Sequence, residues 1–158
     1  MKFLRFQNEH YVFRLTEWEK KLLPVILNLY PVIPSAHQPL SKSANPDQSN
    51  QKLLDEALAE HRNENKKFIK AFLADPRHFR HADESSWMIL SGGEIEWLLQ
   101  VFNDVYVGNW ILLGSPEDGM RNLTVNDETA PHIGAMELAQ AFQSTLLSAA
   151  DAARESRK

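Results

Sequence analysis

The chain of 158 residues contains no cysteine. Disulfide bonds, thiolate catalysis and cysteine-ligated zinc are therefore excluded, and the composition is compatible with a reducing cytoplasm. No stretch approaches the roughly 20 consecutive apolar residues that a membrane-spanning helix needs. The amino-terminal sequence MKFLRFQNEH places charges where a signal peptide requires its apolar core. We expect a soluble cytoplasmic protein that does not enter a membrane.

Positive charge is also in short supply, with 17 Lys and Arg against 21 Asp and Glu and a formal net charge of -4. Nucleic-acid surfaces depend on an excess of Lys and Arg, so this balance predicts no nucleic-acid partner. The pair Gly92-Gly93 is the one candidate for a phosphate-binding glycine loop, and Glu94 and Glu96 beside it repel an anion. No cofactor is predicted.

Apolar residues alternate along residues 1–15 and predict a hairpin of two short strands around Gln7-Asn8-Glu9. The short apolar segment 86–90 predicts a third strand that pairs with the hairpin. Elsewhere the spacing is helical and predicts about four helices, near residues 17–30, 50–74, 92–113 and 131–154. The predicted fold is therefore a single α+β domain, in which a small antiparallel sheet packs against these helices.

Thr16 and Ser91 are suitable N-caps, and Ser91 with Glu94 has the spacing of a capping box. Helical spacing in the first helix predicts one core face, made of Trp18, Leu22, Ile26, Leu27 and Tyr30. Residues 31–50 carry four prolines and four serines. We expect a flexible connector inside the domain at about 35–50, where a protease cuts first.

Residues 94–114, EIEWLLQVFNDVYVGNWILLG, form an almost unbroken apolar run on the third helix. One face of this helix carries Ile95, Leu98, Leu99, Phe102, Tyr106 and Leu113. A second stripe, about half a turn away, carries Trp97, Val101, Gly108 and Leu112. We predict that other surfaces cover this helix on nearly all sides.

The second stripe can be covered by another copy of the chain or by the carboxy-terminal helix, whose apolar face is rich in alanine. Gly108 lets two backbones approach closely, and Trp97 is the kind of large side chain that dominates interfaces. We predict a two-fold homodimer whose interface consists of Trp97, Val101, Gly108 and Leu112. Burial under the carboxy-terminal helix is the alternative.

Asn103, Asp104 and Asn109 are polar residues inside the apolar run of the third helix. Asn103 and Asp104 are neighbours and point about 100° apart, so they form a poor catalytic pair. We expect Asn103 near solvent and Asp104 paired with an arginine or a backbone group. Asn109 falls on the main apolar face, where it should hydrogen-bond to a strand or loop backbone.

Residues 90–114, LSGGEIEWLLQVFNDVYVGNWILLG, resemble an uncharacterised bacterial family, a domain of unknown function known mainly from actinobacteria and commonly encoded beside the Clp protease adaptor. The matching positions are Glu94, Glu96, Trp97, Asn103, Asp104 and Gly114. Residues 13–27, FRLTEWEKKLLPVIL, are similar to the family's amino-terminal helix, whereas Tyr106 stands where the family has arginine. The resemblance implies no known activity; it implies a protein partner such as the Clp adaptor.

One cluster favours a different function. His78 and His81, followed by Asp83 and Glu84, offer imidazole and carboxylate groups that a divalent metal can use, although a solvated loop after Pro76 accounts for the same residues. Two hypotheses therefore stand. The protein is a noncatalytic association or regulatory module, linked through its family to Clp-dependent proteolysis, or it is a small metal-dependent hydrolase that uses residues 78–84 with Asp104.

Overall fold

The structure is a computed structural model, and it describes residues 1–33, 48–82, 85–116 and 123–155. Its elements are β1 (Lys2–Gln7), β2 (His10–Leu15), α1 (Glu17–Asn28), α2 (Gln48–Ala74), β3 (Phe79–Ala82), β4 (Ser85–Ser91), α3 (Gly92–Leu112) and α4 (Ala130–Glu155). Four helices and one antiparallel sheet make an α+β fold, which confirms the predicted class.

The sheet has the strand order β1-β2-β4-β3, and every pair is antiparallel. The predicted hairpin is β1 and β2, with Asn8 and Glu9 at its turn. Both residues have positive φ, 51° and 61°, the conformation that a tight two-residue hairpin turn requires. The predicted third strand is β4, which pairs with β2 from Ser86 to Ser91.

The strand β3 was not predicted from the sequence. Its four residues, FRHA, pair with β4. They lie in the region after Pro76 for which the sequence suggested either a metal site or a solvated loop. A strand this short, with adjacent Arg80 and His81, carries too little alternation to stand out from a loop. It lies at the edge of the sheet, where charged side chains are common because they discourage pairing with another chain.

Alternation along the strands gives the sheet two different faces. On the covered face, Phe13, Met88 and Leu90 are at most 1% exposed and join residues of all four helices in one hydrophobic cluster. On the opposite face, Lys2 and Arg14 are exposed, and the apolar side chains of Val12, Trp87 and Ile89 are only half-buried. The helices therefore pack on one side of the sheet.

Both predicted N-caps form complete capping boxes. The Thr16 hydroxyl accepts the backbone N–H of Glu19 at 3.2 Å, and the Glu19 carboxylate accepts the backbone N–H of Thr16 at 2.8 Å. Ser91 and Glu94 repeat the arrangement at the start of α3, with distances of 3.3 and 2.7 Å. Each box satisfies amide groups that the first turn of a helix leaves free, so the strand-to-helix junctions at residues 16 and 91 are sharply fixed.

The helix boundaries lie within two residues of the predicted ones. The expected connector at about 35–50 falls largely outside the described residues, although its last three residues already belong to α2. The centre of the fold is α3, which pairs extensively with α4; the rings of Phe102 and Phe142 stack there at a centroid distance of 5.3 Å. Among the described residues, no helix is both long and apolar enough to cross a membrane.

Candidate functional site

The second stripe of α3 is mostly enclosed by the same chain. Val101 has no accessible surface, Gly108 is buried and Trp97 is half-buried, whereas Leu112 is 54% exposed. Val101 and Gly108 therefore cannot contact a second copy while the chain holds this fold. The four predicted interface residues do not form one exposed surface, and Leu112 is the only one of the four that is exposed.

The helix that covers Trp97 is α2, rather than a second copy of the chain or the carboxy-terminal helix. The indole ring lies 5.9 Å from the ring of Phe68 and 5.7 Å from that of Phe72, measured between centroids. The indole N–H donates to Oδ1 of Asn65 at 3.1 Å, and Nδ2 of Asn65 donates to the hydroxyl of Tyr30 at 3.0 Å. These contacts join α3, α2 and the end of α1.

Gly108 does mark a close approach, but the approaching residue is Val32, which follows α1. A Cβ atom placed on Gly108 would lie 2.5 Å from Cβ of Val32, well inside contact distance. One turn earlier on α3, Oδ1 of Asp104 accepts the backbone N–H of Val32 at 3.3 Å. The small residue and the carboxylate together hold the segment after α1 against α3.

The polar residues of α3 have structural partners. Asn103 is exposed, and Asp104 caps the Val32 amide, as expected. Burial raises the pKa of Asp104, while the Val32 amide and the Arg62 charge oppose that rise. Asn109 is 3% exposed; its Nδ2 donates to the Val105 carbonyl of its own helix at 2.7 Å. Its Oδ1 lies 2.7 Å from Nδ1 of His132 on α4, so the expected strand or loop partner was wrong.

The two histidines of the predicted metal cluster have separate partners. Nε2 of His78 lies 2.6 Å from Oε1 of Glu94, whereas Nδ1 of His81 lies 3.0 Å from the hydroxyl of Ser86. His81 belongs to β3, and Asp83 and Glu84 lie outside the described residues. In the described part of the chain, no group of three or more His, Asp or Glu side chains could hold a metal ion.

His78 nevertheless occupies an unusual position. Its ring lies 4.6 Å from that of Phe72, and its Nδ1 is buried without a hydrogen-bond partner, 3.9 Å from Oδ2 of Asp75. Burial alone would raise the pKa of Glu94, but hydrogen bonds from Ser91 and His78 outweigh it and hold that pKa below its usual value. Hydrogen bonds from Arg77 lower the pKa of Asp75 to about 2. Thus His78 lies between the carboxylates of Asp75 and Glu94, and the pKa of each carboxylate is below its usual value.

The largest difference from the sequence analysis lies in α1. Trp18, assigned to the core, is 75% exposed. The helix instead buries Leu23, Ile26 and Leu27, with Tyr30 following it. The predicted face therefore combines residues from two apolar lines of the helix, and only the line with Ile26 and Leu27 is buried in the core.

The other line of α1 is an exposed apolar stripe, here called the α1 outer stripe, formed by Trp18, Leu22, Val25 and Leu29. Val25 is 56% and Leu29 41% exposed, and Leu22 is half-buried. The spacing of four, three and four residues places all of them on one side of the helix. This spacing is visible in the sequence and could have identified the surface, but it does not tell which of the two lines faces the core.

Comparison with known proteins adds no relative to this description. No protein-family model matches the chain, and neither the curated proteins nor the solved structures contain a match.

Proposed function

We propose that the protein is a noncatalytic protein-association module that forms a two-fold homodimer through the α1 outer stripe. The observation that carries the proposal is Trp18, a tryptophan 75% exposed on a regular helix in line with Val25 and Leu29. Tryptophan is strongly enriched among the residues that dominate binding energy in protein interfaces. An exposed apolar stripe of this kind on a regular helix is typical of an interaction surface.

The dimensions of the stripe suit helix–helix association. From position 18 to position 29 it extends over about 16 Å of helix, at 1.5 Å per residue. Spacings of four and three residues are those through which two helices pack side chains against one another. Glu17, Lys21 and Asn28 lie on the adjoining exposed side of α1 and would remain in contact with solvent at the edge of such an interface.

The stripe is also self-complementary. When two copies of α1 run antiparallel about a two-fold axis, Trp18 of each copy lies opposite Leu29 of the other, and Leu22 lies opposite Val25. The large indole thus meets a smaller side chain at both ends, and no second type of surface is needed. The dimer expected from the sequence is retained in this proposal, but its centre moves from α3 to α1.

The link to Clp-dependent proteolysis rests on family resemblance alone and remains a prediction, as does the Clp adaptor as a further partner. We place the association in the cytoplasm, in line with the absence of cysteine. The alternative of a metal-dependent hydrolase has less support. Asp104 accepts the Val32 amide, His81 contacts the Ser86 hydroxyl and His78 contacts Glu94, so the three residues have separate partners.

Sedimentation or light scattering of the wild type tests the dimer. At micromolar concentration we expect twice the mass of one chain, and Trp18→Ala should give a single-chain mass with an unchanged circular dichroism spectrum. Leu147→Ala is the matched control, since Leu147 is a 52% exposed leucine on α4 outside the stripe, and it should leave the dimer intact. A single-chain mass for the wild type, or a dimer that survives Trp18→Ala, would overturn the proposal.

A further inference from the structure

The four strands contain no acidic residue, although acids outnumber Lys and Arg in the chain as a whole. The strands carry four Lys and Arg residues, namely Lys2, Arg5, Arg14 and Arg80. All four are exposed. Lys and Arg are therefore the only charged residues among Asp, Glu, Lys and Arg on the strands, and the acidic residues lie elsewhere in the chain.

The register places these cations on one face, here called the basic sheet face. Arg80 pairs with Trp87, Trp87 pairs with Arg14, and Arg14 pairs with Lys2, so the four side chains form one row across the sheet. Directly paired residues point to the same side. With about 4.8 Å between neighbouring strands, the row extends over about 14 Å, with an indole between two guanidinium groups.

The next row across the sheet also combines a cation with apolar side chains, because Arg5 pairs with Val12 and Val12 pairs with Ile89. Two adjoining depressions open on this face and share Arg80 and Ile89. The first has a volume of about 250 Å³ and is lined by Leu4, Arg5, Val12, Arg80, Trp87 and Ile89. The second has a volume of about 420 Å³ and is lined by His10, Arg77, His78, Arg80, Ile89, Ser91 and Glu94.

The cations of the row have no partner in the described part of the chain. No carboxylate there forms an ion pair with Lys2, Arg5, Arg14 or Arg80. Glu94, which lines the second depression, is bonded to His78, and Asp75 is bonded to Arg77 of the same depression. Asp83 and Glu84 lie between β3 and β4, outside the described residues.

We propose that the basic sheet face binds single-stranded nucleic acid, with one base against Trp87 and phosphates on the arginines around it. Single-strand binding surfaces combine cations that follow the backbone with an aromatic ring on which a base stacks. The row Arg80–Trp87–Arg14 supplies both groups at neighbouring positions. An acidic peptide would use the cations, but it gives no role to an indole placed between two of them, and for that reason nucleic acid is the favoured partner.

The net charge led to the expectation of no nucleic-acid partner, and the basic sheet face is the reason why we propose one. A formal charge of -4 describes the chain as a whole, whereas a bound strand interacts mainly with charges within about 10 Å of it at ordinary salt concentrations. The proposal does not depend on the dimer, because the α1 outer stripe and the basic sheet face lie on different elements.

Fluorescence anisotropy of a labelled oligouridylate of about 15 nucleotides tests the inference with the full-length protein. We expect binding at about 50 mM salt that weakens at about 200 mM. Arg14→Ala combined with Arg80→Ala should weaken binding at least tenfold and reduce the salt slope by about 1.4, since each phosphate contact to a single strand contributes about 0.7. The control pair Lys66→Ala and Lys67→Ala removes the same charge from an exposed part of α2 and should change neither quantity.

Two further measurements separate base stacking from charge alone. Trp87→Leu should weaken binding about tenfold with an unchanged salt slope, and Trp87→Phe should restore most of the affinity. A polyglutamate peptide should fail to displace the oligonucleotide. Absence of binding at about 50 mM salt, equal effects of the control pair, or a Trp87→Leu protein that binds normally would each overturn the proposal. Tight binding of polyglutamate itself would identify an acidic protein partner instead.

Discussion

The indole N–H of Trp97 donates a hydrogen bond to Oδ1 of Asn65, which lies 32 positions earlier in the chain, at 3.1 Å. The amide nitrogen of Asn65 donates in turn to the hydroxyl of Tyr30 at 3.0 Å. One side chain that is only 7% exposed therefore satisfies polar groups from two other parts of the fold. A buried amide whose hydrogen bonds are made fixes its neighbours in one arrangement.

Asn65→Ala should lower the free energy of unfolding by about 1 to 3 kcal/mol, because it leaves the Trp97 and Tyr30 groups without their partner. Asn63→Ala is the matched control, since Asn63 is an exposed asparagine on the same helix, and it should change stability by less than about 0.5 kcal/mol. Urea denaturation of the three proteins gives the comparison. Equal stabilities of the two variants would show that the Asn65 bonds contribute nothing.

The architecture could be predicted from the sequence because the local signals agree with one another. The capping boxes at Thr16 and Ser91 mark the points where strand spacing changes to helical spacing, and the turn at Asn8 and Glu9 separates two alternating segments. Each of these signals lies within a few residues of the feature it predicts. Four helices and three of the four strands could therefore be placed without any long-range information.

The contacts between residues that are distant in the chain could not be predicted in the same way. The periodicity of α3 shows two apolar sides, but nothing near Trp97 or Gly108 in the sequence indicates that α2 and Val32 cover them. In α1 two apolar lines run side by side, and the choice between Trp18 and Leu23 as the core residue is made by neighbours distant in the chain. Net charge likewise averages over surfaces that the fold separates.

Gly108→Ala and Gly134→Ala should change stability in opposite directions although both place a methyl group in a helix. At Gly108 the new Cβ would lie 2.5 Å from Cβ of Val32, so we expect a loss of about 1 to 3 kcal/mol. At Gly134 the added Cβ would meet no atom within 4 Å apart from its chain neighbours and the backbone of its own helix, and the higher helix propensity of alanine should add up to about 1 kcal/mol.

Thermal unfolding compares these two variants, and Val32→Gly identifies the cause of the difference. In the Val32→Gly background the blocking Cβ is absent, so adding Gly108→Ala should cost less than it does in the wild type. An undiminished cost in that background would assign the close approach to atoms other than those of Val32.

Asp104→Asn should stabilise the protein at neutral pH. Burial raises the pKa of Asp104 in the folded state, so the fold favours the protonated carboxyl, and stability falls as pH rises from its ordinary pKa of 3.8 through the raised value. Asparagine keeps an oxygen that can accept the Val32 amide but carries no charge into the partly buried position. The gain should disappear below the ordinary pKa, where the wild-type carboxyl is protonated in both states.

Urea denaturation at neutral and acidic pH measures this difference. Asp127→Asn provides the control, because it removes one carboxylate from an exposed position and should give no stabilisation of the same kind. If Asp104→Asn is destabilised at neutral pH, the Arg62 attraction outweighs the cost of burial and the sign of the argument is wrong.

Glu94→Gln should flatten the acid side of the stability profile. The pKa of Glu94 is lowered in the folded state because hydrogen bonds from Ser91 and His78 outweigh the effect of burial. Its contribution to stability is therefore complete above the ordinary pKa of 4.5 and is lost as pH falls through the lowered value. Glutamine can keep the capping box but not the hydrogen bond between a carboxylate and His78, so we expect about 1 kcal/mol lower stability at neutral pH.

The control for this change is Glu96→Gln, two positions further along α3, where the side chain is exposed. Denaturant unfolding between neutral pH and about pH 3 should give parallel profiles for the wild type and Glu96→Gln, while the Glu94→Gln profile converges with them in acid. Asp75 contributes separately, because its pKa of about 2 places the loss of its ionised form at still lower pH. A Glu94→Gln profile that stays parallel to the wild type would mean that the His78–Glu94 pair does not stabilise the fold.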